Sequence, residues 1–141
     1  MSPGRQSPVA HSPLPFSTLS ASAEGSPSER STFARLVGLA RHATKRKVTL
    51  LRDLTPKAFR QELVRSNEPG LRYVVNFARK ALFGAGSGHH SPIGGYLEAE
   101  DLVFVLDVNR RFQPWLVSRP RLYAAVNTLD GESKRGLLRI E

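Results

Sequence analysis

The sequence predicts an α+β fold built on an antiparallel sheet. Apolar residues at helical spacing come first, strand-like runs then follow in hairpin order, and no internal repeat breaks the pattern. At 141 residues, 40% of them hydrophobic, the chain is the size of one modest domain with an ordinary share of core-forming side chains.

The elements read as follows. Residues 1–32 are Ser/Pro-rich, with Ser-Pro steps at Ser2, Ser7, Ser12 and Ser26, and hold too few clustered apolar side chains to offset the entropy of ordering; they are read as disordered. Residues 33–141 form the folded unit. Phe33, Leu36, Val37, Leu39 and Ala40 predict a short amphipathic helix from Thr32 to about His42, and Val48-Thr49-Leu50-Leu51 a short strand. Thr55-Pro56 opens the next helix, with Thr as N-cap and Pro in the first turn. Phe59, Leu63 and Val64 supply its buried stripe, and Glu68-Pro69-Gly70 stops it near Asn67. Leu71 to Phe77 is rich in aromatic and β-branched residues and reads as a strand. A glycine-punctuated loop from Gly84 to Gly88 leads into a strand over His89 to Leu97. Leu102 to Val108, nearly all apolar apart from Asp107, predicts a strand buried on both faces. Leu122, Ala125 and Val126 predict a helix from Arg119 to Asn127, and Gly136 to Ile140 a last strand.

The formal charge of +9 and a pI near 10.8 favour contact with nucleic acids, acidic membranes or anionic small molecules without choosing among them. The sequence holds no cysteine, which excludes disulfides, thiolate metal sites and a thiol nucleophile from these residues. No apolar run approaches the roughly 20 residues needed to cross a bilayer, and the first thirty residues lack the hydrophobic segment of a secretory signal. A cytoplasmic protein that does not engage a membrane is the simplest expectation; the Ser/Arg-rich, acid-poor start leaves an organellar presequence as the alternative.

His89 and Asp107 lie on consecutive predicted strands joined by Glu98-Ala99-Glu100-Asp101. Side chains alternate along a strand, so the parity of the loop decides whether the two can meet. An odd loop centred on Ala99 sets Ser91 opposite Asp107 and puts His89 one diagonal step away on the same face, with Cβ atoms roughly 7–8 Å apart or somewhat less. An even loop sends them to opposite faces. A buried carboxylate bonded to one ring nitrogen fixes the imidazole and leaves the other nitrogen free to take a proton from a thiol or hydroxyl, the general-base half of a nucleophilic triad. The plainer alternative is that Asp107 caps a turn and His89 is a loop residue.

The stretch Gly88-His89-His90-Ser91-Pro92-Ile93-Gly94-Gly95-Tyr96, followed by Val105-Leu106-Asp107-Val108 and Arg110, closely resembles the His-to-Asp block of phytochelatin synthases. That block runs Gly-His-x-Ser-Pro-x, a pair of small residues and Tyr, then Asp-Val-x-Arg. The resemblance extends from about Phe33 to the end, through Tyr73-Val74-Val75-Asn76-Phe77 and Asn127-Thr128-Leu129-Asp130. It implies the His/Asp-bearing, C-terminal half of a papain-like cysteine protease fold. It also implies His89 as general base and Asp107 as its orienting acid, with His90 at a variable position outside that role. The reaction implied is acyl transfer on glutathione: a cysteine attacks the γ-glutamylcysteinyl-glycine bond, glycine leaves, and γ-glutamylcysteine passes to another glutathione or to water. The cysteine and its oxyanion hole are not in this sequence, so a Cys-bearing half on another chain is the implied partner and the isolated chain is expected to be inactive. For the γ-glutamyl ammonium and carboxylate, Asp130 and Arg135 resemble the family's residues, with Asn76 and the Gly88 backbone adding hydrogen bonds. On residues alone, Asp130-Gly131 reads as a plain turn. The resemblance further implies that heavy-metal ions enter only as thiolate complexes of the substrate and that the chain itself binds no cofactor.

Other readings are weaker. His89-His90 lacks a third ligand at recognisable spacing for a metal site. Lys45-Arg46-Lys47 and the scattered arginines lack interleaved aromatics, so nucleic-acid binding gives way to a solvated basic surface. The glycine-rich loop at Gly84 has neither the lysine nor the following helix of a phosphate-binding loop. A non-catalytic γ-glutamyl-binding protein or partner subunit is the alternative of a different class. A sheet face stripped of its cysteine lobe is expected to promote self-association.

Overall fold

The computed structural model describes residues 32–141. The segment read as disordered lies outside the described residues but for Thr32, where the first helix begins. The elements run α1 (Thr32–Ala43), β1 (Val48–Arg52), α2 (Pro56–Arg65), β2 (Arg72–Ala78), α3 (Arg79–Phe83), β3 (Gly88–Leu97), β4 (Leu102–Val105), β5 (Trp115–Ser118), α4 (Arg119–Val126), β6 (Leu129–Asp130), β7 (Ser133–Lys134) and β8 (Gly136–Ile140). Six strands form one sheet in the order β1-β8-β2-β3-β4-β5, and β6 and β7 form a small hairpin. Every pairing is antiparallel, as the α+β reading expects. No described helix is long and apolar enough to cross a membrane.

Each face of the sheet is packed by different helices. Tyr73, Val75 and Phe77 of β2 join Val103, Val105 and Leu137 beneath Phe59 and Leu63 of α2 and Leu122, Ala125 and Val126 of α4. Thr55 caps α2 through the amide of Ala58 at 3.1 Å, with Pro56 in the first turn, as the local sequence dictates. The opposite face holds Val48 and Leu138 with the partly buried Val74 and Ile140, covered by Phe33 and Val37 of α1.

α1 covers the β1-β8-β2 end of that second face and reaches β3 at His90, leaving β4 and β5 without a helix there, and this corrects one expectation. The strand read over Leu102 to Val108 ends at Val105 and is buried on one face only: Val103 and Val105 are enclosed, while Phe104 and Leu106 are each 37% exposed. An unbroken apolar run does not say which face will receive a helix. The sequence also gave no hint of α3, whose five residues are too few to establish a helical period. Gly84 ends it in the left-handed region at φ 81°, its amide donating to Lys80 O at 2.9 Å.

The β3-β4 hairpin carries the second correction. Its loop is even, with Leu97 opposite Leu102 across Glu98 to Asp101. A bulge between Ile93 and Gly95 then shifts the register by one residue, so that Ile93 faces Val105 and the Leu106 amide donates to Pro92 O at 2.9 Å. Continued one step, this register sets Ser91 opposite Asp107, the alignment that an odd loop would have given. Gly94 suits the bulge, because a Cβ there would sit 2.7 Å from Phe104 Cδ2. Beyond it, Asn67 acts as a substitute strand: its Nδ2 donates to Tyr96 O at 2.8 Å and its Oδ1 accepts from the Tyr96 amide at 2.9 Å.

Candidate active site

His89 pairs with Phe77 across β2 and β3, so its ring projects to the α2/α4 face, packed edge-on against Phe77 at 6.1 Å between centroids. Asp107 lies just past the end of β4 and reaches the same face. His89 Nε2 is 3.8 Å from Asp107 Oδ1, an ion-pair distance too long for a hydrogen bond. The side chain of Asp107 is fully enclosed and that of His89 is 30% exposed, with Nε2 buried and unpaired. Nδ1 is thus the ring nitrogen turned away from the carboxylate.

Asp107 is occupied by other donors. Arg79 grips it with both ends of its guanidinium, Nη1 to Oδ2 at 2.8 Å and Nη2 to Oδ1 at 3.2 Å. Trp115 Nε1 donates to Oδ2 at 2.7 Å and the Asn109 amide to Oδ1 at 2.9 Å. The turn-capping alternative for Asp107 is therefore also realised, through Asn109. Arg79 is itself buried, its guanidinium 3.8 Å from the Phe112 ring centroid and 5.3 Å from that of Phe77. Burial pushes the Asp107 carboxyl upward, but the Arg79, Trp115 and Asn109 bonds outweigh it and hold the group below its ordinary range. Burial pushes His89 down, Arg79 pushes it further, and Asp107 opposes both. The imidazole is thereby kept neutral and able to accept a proton.

The remaining predicted residues gather on the other face. Asn76, fully buried, pairs with His90 across the strands and donates from Nδ2 to Asp130 Oδ2 at 3.2 Å. Arg135 Nη1 lies 3.9 Å from Asp130 Oδ1, an ion pair without a hydrogen bond, and Arg135 Nε and Nη1 are buried with no hydrogen-bond partner. His90 stacks on Phe33 at 5.5 Å, and its Nε2 is likewise buried and unpartnered. Burial holds His90 down to about 4, with Asp130 opposing and the His89 and Arg135 charges assisting. Gly88 joins the two groups: it precedes His89 in the chain and lies under the Arg135 guanidinium, where a Cβ would come within 2.7 Å of Nη2.

The structure thus brings His89 to Asp107, and Asn76 to Asp130 and Arg135, on opposite faces that meet at Gly88. Sequence reading missed Arg79 and Trp115, and it named His90 without foreseeing its contacts. A basic residue directly after an aromatic-rich strand carries no signal of its own. His90 and Trp115 reveal their neighbours only once the register is known.

The sequence model of a family described as Phytochelatin synthase matches residues 22–137, beginning upstream of Phe33. Glutathione gamma-glutamylcysteinyltransferase 1 of Triticum aestivum is 35% identical over 111 residues, 77% of this chain and 22% of the relative. Glutathione gamma-glutamylcysteinyltransferase 2 of Arabidopsis thaliana is 32% identical over 108 residues, 74% of this chain and 24% of the relative. Glutathione gamma-glutamylcysteinyltransferase 3 of Lotus japonicus is 43% identical over 58 residues, 40% of this chain and 12% of the relative. The aligned part spans less than a quarter of the length of each.

Proposed function

Because the chain belongs to the phytochelatin synthase family, we propose that it is the base-bearing part of a papain-like glutathione γ-glutamylcysteinyltransferase acting in phytochelatin synthesis and heavy-metal detoxification. The observation that carries this reading is the placement of His89 and Asp107 on one face, with Nε2 3.8 Å from Oδ1. His89 takes the proton of a cysteine thiol supplied from outside these 141 residues, since the sequence contains no cysteine. The thiolate attacks the γ-glutamylcysteinyl carbonyl of glutathione, and the protonated imidazole returns its proton to the departing glycine amine. The acyl group then passes to a second glutathione or to water. Asp107 stabilises the imidazolium. Asp130 takes the γ-glutamyl ammonium and Arg135 its carboxylate, with Asn76 and the Gly88 backbone adding hydrogen bonds; the buried, unpartnered Nε and Nη1 of Arg135 support this assignment. Heavy-metal ions act as thiolate complexes of the substrate.

The test combines the chain with the part of the wheat relative that lies outside the aligned region and measures glycine released from glutathione. Release by the mixture only, lost with His89→Ala, is the expected result. Unchanged release with His89→Ala contradicts the reading. The missing thiol also favours a second reading, γ-glutamyl binding without turnover, whose signature is calorimetric affinity for glutathione with no glycine released by any mixture.

A further inference from the structure

A carboxylate offers about four lone-pair sites, and Asp107 spends all of them on neighbours other than the histidine. Oδ1 accepts from Arg79 Nη2 and the Asn109 amide, and Oδ2 from Arg79 Nη1 and Trp115 Nε1. His89 Nε2 stands 3.8 Å from Oδ1, buried and without a partner. The Arg79 Nη2 bond, at 3.2 Å, is the longest of the four and is the contact whose release would open a site on Oδ1. We infer that Arg79 is a positioning residue that competes with His89 for Asp107 and thereby sets how strongly the carboxylate supports the imidazole.

Arg79 is built to hold that place. Its guanidinium is stacked on Phe112, its bidentate geometry fixes the carboxylate plane, and its stem lies so close to Gly86 that a Cβ there would come within 3.2 Å. The charged or titratable groups acting on the His89 ring are Arg79 from α3 and Asp107 after β4, and the neighbouring His90 on β3 is coupled to it. A lysine here would keep the charge and lose the fork; a glutamine would lose both the charge and most of the grip. Either change frees Oδ1 for the His89 Nε2–H bond, and the neutral one also removes the cation that opposes protonation of the ring.

The inference rests on the reading of His89 as the base, but its test follows the ring directly, so a failed glycine-release assay and an unmoved imidazole are separate results. Long-range proton–nitrogen NMR of the His89 ring, titrated with pH, compares the unaltered chain with Arg79→Gln and Arg79→Lys, the fold being checked on the amides of β1 and β8. Expected are an unbonded Nε2–H in the unaltered chain, a low-field exchange-protected Nε2–H in Arg79→Gln with an upward shift of the titration midpoint, and a smaller upward shift in Arg79→Lys. A protected, hydrogen-bonded Nε2–H in the unaltered chain overturns the inference whether or not the variants fold, as does a folded Arg79→Gln or Arg79→Lys whose midpoint stays in place.

Discussion

Asp107 lies beside His89 and Arg135 acts on His90, yet the buried carboxylate is saturated with hydrogen bonds and the largely enclosed guanidinium is left with two nitrogens unpaired. A buried charge without partners is costly, so an arrangement that keeps one must be stabilised by the surrounding fold. Asp107 behaves as a structural keystone whose charge is already matched by Arg79. Arg135 keeps Nε and Nη1 buried without a hydrogen bond, with Asp130, itself bonded to Asn76, as its nearest counter-charge. The contrast separates a charge whose hydrogen bonds the fold completes from one whose hydrogen bonds it leaves open, the one proposed above for the γ-glutamyl carboxylate.

Substitutions should widen that contrast. Asp107→Asn leaves the Arg79 guanidinium buried without its counter-ion and should cost about 3–5 kcal/mol in urea unfolding; a loss below 1 kcal/mol would show that the pair is not the keystone. Asn67→Ala strips two hydrogen bonds from the Tyr96 backbone beside the bulge and should cost about 1–3 kcal/mol, with faster exchange of the Tyr96 amide. Acidification should act through the histidines. His90 is held to about 4 in the fold against 6.5 for a free imidazole, so the unfolded chain binds more protons between those values. The stabilisation is complete above about pH 6.5 and is lost as the pH falls towards 4. After discounting for partial exposure this amounts to roughly 1–3 kcal/mol, and His90→Phe should flatten that part of the stability profile. The depressed Asp107 carboxyl adds a further loss below about pH 4. Arg135→Met should change stability least, by about 1 kcal/mol or less, because it removes a charge that the fold does not fully satisfy; glutathione affinity measured by calorimetry should nevertheless fall.

Much of the fold was legible because local chemistry and global packing agree. Thr55-Pro56 capped a helix, β2 read as a strand from its β-branched and aromatic residues, and the Phe59/Leu63 stripe lies in the core. The face of the β4 run was not legible, because its burial is decided by where α1 ends rather than by anything in Leu102 to Leu106. The site shows the same division. His89 and Asp107 stand out by their spacing and motif, but loop parity alone does not give their alignment: the loop is even and the bulge at Gly94 restores the phase. A Gly-Gly pair inside a strand is a bulge signal, and combining it with the four-residue loop would have given the observed register. Arg79 could not be foreseen, since its role depends on a one-turn helix and on Phe112 from a distant loop.

The register at the end of the hairpin is where this account is most exposed. Extended past Ile93–Val105 and the Leu106–Pro92 hydrogen bond, the bulged register makes Ser91 and Asp107 a non-hydrogen-bonded pair, a type whose Cα atoms approach to about 4.5 Å. A NOESY spectrum of the labelled chain should therefore show a strong Hα–Hα contact between Ser91 and Asp107. A contact from Asp107 to Pro92 instead would mean that the even register runs through without a bulge, sending Asp107 to the face opposite His89.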